Sequence, residues 1–281
     1  MKRRRFEWRL KQREISLGDR TLIVGVLPVT PDAFADPDRA FARAIEIEEH
    51  GADVLALGAE PLFPGAPRIS EAEELRRLVP VLKRLKDKLA IPIAVETYKS
   101  AVAEKSLEHG AEIIEDPSGL TFDPALAKAV VKYDAGLVLA HLRGTPETWT
   151  KLPPLPDVMG GILHDLEAAV NRARRSGVQR NAIAIDPGLG YGKRKEQNVE
   201  IVARLHELAR LDLPTVVGTL GKAFLAQGSD EAFRFAAAGG AAAASLAGAN
   251  LIRTYEPREA AAATAVADAV AAARARLEEN Q

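Results

Sequence analysis

The chain has 281 residues, 47% of them hydrophobic, and a net charge of −1. That length suits one barrel of roughly 250 residues with trimmings, and the balanced charge gives no global field to draw in nucleic acid or an anionic membrane. Cysteine is absent, which excludes disulfides and thiolate metal sites, and no apolar run approaches the ~18 residues of a membrane span. The basic start, Met1 to Arg5, runs into Phe6-Glu7-Trp8-Arg9 rather than an apolar signal segment, so the expected location is cytoplasmic.

The elements alternate from end to end. Trp8-Arg9-Leu10 and Glu14-Ile15-Ser16 flank a polar turn and predict a short hairpin. The first barrel strand spans Leu22 to Leu27, and a helix from Asp38 to Glu49 stops at Gly51, a C-cap signal. The second strand is Asp53 to Leu57. A proline-rich loop leads to Ser70-Glu71-Ala72-Glu73, an N-cap with first-turn acids, and a helix to Leu89. Strands three to five are Ile91 to Val95, Glu112 to Glu115 and Gly136 to His141. A long helix covers Asp157 to Ser176, with Gly160-Gly161 weakening its start. Strands six to eight are Ala182 to Asp186, Thr215 to Gly218 and Asn250 to Thr254, and an Ala-rich helix from Glu259 to Leu277 follows. Eight short apolar runs separated by helices define an α/β chain, a (β/α)8 TIM barrel with the N-terminal hairpin at its bottom. No linker or charge block divides residues 1–281, so one domain is expected.

Barrel sites sit on the loops after the strands, so the strand ends are the candidate site. They carry Glu96, Glu115 and Asp186, with Lys222 just past the seventh strand, and Arg253 and Tyr255 at the eighth. Leu62, Phe63, Leu142, Tyr191 and Leu220 stand on the same loops and make much of the mouth apolar. Gly188 to Lys193 has neither the four-residue gap nor the hydroxyl residue of a nucleotide loop. His141 reads as a hydrogen-bonded framework residue, and the other histidines have no ligand-like spacing.

Seven segments go beyond a generic barrel. They include Gly25-Val26-Leu27-Pro28-Val29-Thr30-Pro31-Asp32, His141-Leu142-Arg143-Gly144, Asp186-Pro187-Gly188-Leu189-Gly190-Tyr191-Gly192-Lys193 and Val217-Gly218-Thr219-Leu220-Gly221-Lys222. In this order they resemble dihydropteroate synthase, of the pterin-binding barrel family, over essentially the whole chain. The resemblance implies a homodimer and a site for a pterin diphosphate, p-aminobenzoate and magnesium. By the same resemblance, Asp186, Lys222 and Arg253 stand as the family has them. Elsewhere the pattern departs. Pro28 replaces the family's Asn on the diphosphate side, Ala33 and Ala35 replace two serines, and Ala56 replaces an Asp. Pro61-Leu62-Phe63 replaces Ser-Thr-Arg, and Glu96 lengthens an Asp. Glu115 replaces an Asn that is a pterin ligand, Leu142 a Met, Leu220-Gly221 a Ser-Arg, and Tyr255 a His.

These replacements favour a scaffold whose pocket has been rewritten, by engineering or by divergence. The leading expectation is a lyase-type catalyst in which Glu115, or else Glu96, removes a proton from a small flat aromatic substrate, as in a Kemp elimination. Lys222 or Tyr255 supplies the donor, or Lys222 acts itself in a retro-aldolase variant. Asp186, Leu62, Phe63, Leu142, Tyr191, Leu220, Arg253 and Tyr255 would bind the substrate. Glu115 reads equally well as a salt-bridge partner of Lys222. No cofactor and no metal is expected. Two alternatives stand beside this: a divergent dihydropteroate synthase, and a barrel that holds a ligand without chemistry.

Overall fold

The computed structural model describes residues 3–279, apart from residues 35 and 226 and the side chain of Lys222. The expected hairpin forms from β1 (Phe6–Arg9) and β2 (Glu14–Leu17), paired antiparallel with Trp8 opposite Ile15. Eight parallel strands follow: β3 (Leu22–Pro28), β4 (Val54–Gly58), β5 (Ile93–Glu96), β6 (Ile113–Asp116), β7 (Gly136–Ala140), β8 (Ile183–Asp186), β9 (Val216–Gly218) and β10 (Leu251–Thr254). Their order round the sheet is β8-β7-β6-β5-β4-β3-β10-β9. A single parallel bridge, Ile185 to Thr215, joins the two ends and closes a (β/α)8 barrel.

Period-two alternation sorts the strand side chains into two cores. Val24, Val26, Val54, Ala56, Ala94, Ile113, Val138, Ala184, Val216 and Leu251 point inward and pack with Trp8, Leu10 and Leu17 of the hairpin. Trp8 is 1% exposed and donates Nε1–H to the carbonyl of Ala182 at 3.0 Å. A buried indole keeps such a partner because an orphaned N–H is costly. Gly136 makes room for this plug, since a Cβ there would stand 2.5 Å from Leu10. The outward residues, among them Leu27, Leu57, Val95, Ile114, Leu137 and Ile185, pack under the helices.

The helices are α1 (Pro37–Glu49), α2 (Glu71–Leu85), α3 (Ser100–Glu108), α4 (Leu126–Tyr133), α5 (Val158–Arg175), α6 (Lys195–Ala203), α7 (Gly221–Phe224), α8 (Asp230–Leu246) and α9 (Pro257–Glu279). Ser70 caps α2 through Oγ on the N–H of Glu73. That helix ends four residues before Leu89, because Lys86 turns extended and Asp87 takes a φ of 58°. α5 forms through the Gly160-Gly161 pair. Asp157 caps it by accepting the Gly160 N–H at 3.0 Å.

Candidate functional site in the barrel mouth

Four strands deliver the charged groups. Glu96 ends β5, Glu115 lies on β6, Asp186 ends β8 and Arg253 lies on β10. Arg253 crosses the mouth, giving Nη2–H to Glu96 Oε2. Tyr191, in the turn after β8, donates its hydroxyl to the same Glu96 oxygen at 3.0 Å and accepts Arg253 Nη1–H at 3.2 Å. Arg253 Nε lies 3.0 Å from Glu115 Oε2, but its N–H is not aligned for a hydrogen bond. The sequence left Glu115 between a base and a partner of Lys222; its partner among the described residues is Arg253.

Burial sets the electrostatics. Desolvation pushes Glu115 up to about 7 against the attraction of Arg253, with Glu96 and Asp186 adding repulsion. Desolvation also lifts Asp186 to about 6, although its Oδ1 accepts the Gly188 N–H at 2.6 Å. Burial raises the Tyr191 phenol, and Glu96 raises it further. Burial alone would lower Arg253, but Glu96, Tyr191 and Glu115 together outweigh it and the guanidinium stays charged.

The apolar groups divide. Leu62 and Leu142 pack with Ala140, Trp149, Tyr191 and Leu152 into one patch at the rim, where the rings of Trp149 and Tyr191 stack 5.9 Å apart. Phe63 does not join them and is 57% exposed. Leu220 and Tyr255 line a cleft of about 500 Å³ between the ends of β9 and β10 and the start of α8, with Tyr255 beside Arg253. Lys222 lies on α7, with its side chain outside the described residues.

Sequence reasoning missed three buried clusters. Lys193 donates Nζ–H to the carbonyls of His141, Gly188 and Tyr191 at 2.8, 2.6 and 3.3 Å, tying the β8 turn to the β7 end. Its burial lowers it to about 7. Asp116 faces away from the mouth and accepts the N–H groups of Ser118 and Leu120. Lys99 joins Glu60 to Glu74 under the β4–α2 loop. Lys193 and Lys99 were visible in the sequence, but nothing local marked them as buried. His141 is a framework group, as read: it is 3% exposed, meets Asp165 through Nε2 at 3.1 Å, and burial lowers it to about 2.

No group of three or more His, Asp or Glu side chains stands in a ligating arrangement among the described residues. Glu96 is committed to Arg253, and Pro28 has no side-chain ligand. A resident magnesium therefore does not fit the described residues. Among them, no helix is long and apolar enough to cross a membrane.

Carboxylates and a guanidinium gathered at the C-terminal rim of a closed parallel barrel stand where the sites of such barrels are built. The family model for pterin binding enzymes matches residues 24–255, and the chain belongs to that family. It is 35% identical over 220 residues to a dihydropteroate synthase of Synechocystis, covering 76% of each chain. It is 36% identical over 223 residues to one of Clostridium beijerinckii, covering 77% of this chain and 80% of the relative. Among solved structures, the Yersinia pestis dihydropteroate synthase with a sulfonamide drug complex superimposes with a TM-score of 0.87 at 30% identity, covering 93% of this chain and 98% of that one. The Burkholderia cenocepacia dihydropteroate synthase complexed with 7,8-dihydropteroate gives 0.86 at 30%, covering 96% and 98%.

These relatives overturn the expected lyase. A Kemp-type eliminase using Glu115 or Glu96, its Lys222 retro-aldolase variant and the expected loss of synthase chemistry all rested on a pocket emptied of polar groups. The structure explains the error: Glu96, Glu115, Asp186, Tyr191 and Arg253 keep the mouth polar at depth. Engineering is not needed either, since 35% identity leaves ample room for strand ends to diverge.

Proposed function

We propose that this chain is a divergent dihydropteroate synthase, a transferase that joins a pterin diphosphate to p-aminobenzoate. The observation that carries the reading is the placement of Asp186 within the field of the Arg253–Glu96 pair in the mouth, in a chain 34–36% identical to several synthases. Asp186 has Oδ1 fixed by Gly188, which leaves Oδ2 to accept N–H groups of the pterin edge. The stacked Trp149–Tyr191 pair with Leu62 and Leu142 offers a flat apolar wall to an aromatic ring.

The amine nitrogen attacks the methylene carbon. The carbon–oxygen bond breaks with its electrons going to diphosphate, the carbon–nitrogen bond forms, and the amine loses one proton. Arg253 places a buried positive charge at this mouth, where charge on the leaving group develops. Any magnesium arrives with the diphosphate as substrate. We propose that residues 1–281 act as one barrel domain, and as a homodimer. The exposed Val199, Phe235, Leu246, Val266 and Val270 on α6, α8 and α9 form the apolar face a second copy would cover. Sedimentation of Phe235→Glu against the parent tests that face.

The decisive experiment supplies 6-hydroxymethyl-7,8-dihydropterin diphosphate and p-aminobenzoate and follows diphosphate and dihydropteroate together. Formation of both in equal amounts is expected. Pterin binding in calorimetry without product would refute the transferase reading and leave a ligand-holding barrel.

A further inference from the structure

Three carboxyl groups converge in the mouth on one guanidinium, and the charge of Arg253 is shared unequally among them. Glu96 takes its Nη2–H and the Tyr191 hydroxyl as well. Asp186 takes the Gly188 N–H. Glu115 has the 3.0 Å contact to Nε, whose N–H finds no aligned acceptor. The other charged neighbours among the described residues do not make up the deficit. Lys193 faces Asp186 but spends its Nζ on three carbonyls. Tyr255 stands beside Arg253. Asp116, next along β6, is turned onto Ser118 and Leu120. Among the described residues the mouth thus holds more carboxyl groups than cations, and Glu115 is the buried one whose nearest cation, Arg253 Nε, is not aligned for a hydrogen bond. A pterin ring is uncharged and brings no cation to correct this.

We propose, resting on the reading that this mouth holds a pterin, that Glu115 binds the ring as a neutral carboxylic acid. In that state its hydroxyl donates and its carbonyl accepts; an ionised carboxylate only accepts. The pyrimidinone edge of a pterin alternates N–H donors with carbonyl and ring-nitrogen acceptors. A protonated Glu115 meets a donor–acceptor pair on that edge, while Asp186 takes N–H groups alone. Two ionised carboxylates at the same edge would instead set one of them against a ring acceptor. The position of Glu115 therefore makes it a specificity-determining residue, and its proton part of the recognition. Burial raises Glu115 to about 7, so a substantial share of it carries this proton at neutral pH and the ring selects that form.

The test is calorimetric titration with 6-hydroxymethylpterin from about pH 5.5 to 8.5, on the parent and on Glu115→Gln. Parent Kd is expected to be level at acidic pH and to weaken toward tenfold per unit above about 7, the slope of one bound proton. In Glu115→Gln the neutral donor–acceptor pair is fixed, so the Glu115 component of that slope should vanish. A slope that persists in Glu115→Gln belongs to the ligand or to Asp186 and overturns the proposal. So does parent binding that is flat or tightens as pH rises. Absence of pterin binding in both proteins at every pH would instead sink the pterin reading itself.

Discussion

Replacing Lys99 with Met removes a charge and keeps most of an apolar stem. Its Nζ stands between Glu60 and Glu74, whose side chains are 6% and 1% exposed. Without it, two buried carboxyls remain beside each other. The surviving donors to Glu60 are the Tyr98 hydroxyl and the Ile69 N–H, while Glu74 Oε1 is already buried without a hydrogen-bond partner. Removing one partner of a buried ion pair costs about 3–5 kcal/mol, and here one cation serves two acids. We expect a loss of about 4 kcal/mol at pH 8, on the same scale. The sign with pH follows from Glu74. Burial already raises its pKa, against the attraction of Lys99. A carboxyl raised in the folded state contributes stability below its unfolded pKa and loses it as pH rises through the folded one. Deleting Lys99 raises Glu74 further, so the deficit should shrink at pH 5, where Glu74 takes up a proton. Urea unfolding of both proteins at the two pH values measures this. A deficit under 1 kcal/mol at pH 8, or one that grows on acidification, refutes the reasoning. Adding Glu74→Gln to Lys99→Met should restore part of the loss.

The other expectations concern the plug, the turn and the buried acids. Trp8→Ala opens a cavity at the barrel bottom and should cost about 3–5 kcal/mol in urea unfolding; a loss below 1 kcal/mol would mean that the hairpin does not seal the core. Gly188 has a φ of +68°, and a Cβ there would meet the His141 carbonyl oxygen at 2.1 Å. Gly188→Ala should therefore destabilise the chain and displace Asp186, seen as pterin affinity falling more than tenfold; unchanged affinity would show that the turn adapts. Glu115→Gln should stabilise the fold at pH 8 by on the order of 1–3 kcal/mol and leave it unchanged near pH 4. Glu115 is raised to about 7 by burial, so its ionisation penalises the folded state only as pH climbs. Equal stabilisation at both pH values would contradict that origin.

The barrel was legible because strand alternation, helix caps and C-terminal glycines are local signals. Ser70, Asp157 and Gly51 each stand where a terminus or turn needs them. The strand-end rule also brought Glu96, Glu115, Asp186, Tyr191 and Arg253 to one mouth. It did not foresee that Leu220 and Tyr255 also line a cleft with the start of α8, because loop direction after a strand is set by tertiary packing. Nor did it count polar depth. Residues replaced at the rim suggested an emptied pocket, whereas the deciding groups are long side chains that reach inward. Glu96 can meet an arginine that starts on β10, and no sequence spacing encodes that reach.

Arg253 starts on β10 and meets Glu115 on β6, four strands away round an eight-stranded ring. It therefore acts as a strut across the diameter of the mouth. The backbone seam lies elsewhere, where only the Ile185–Thr215 bridge links β8 to β9. The ring is thus laced by amide ladders over seven of its joints, and its rim is braced across the middle by charge. Whatever slides between Arg253 and Glu115 takes out the crossbeam while the weakest joint stands a short way round the hoop. Amide exchange at Ile185, measured with and without ligand, tests whether the loss of that strut reaches the joint.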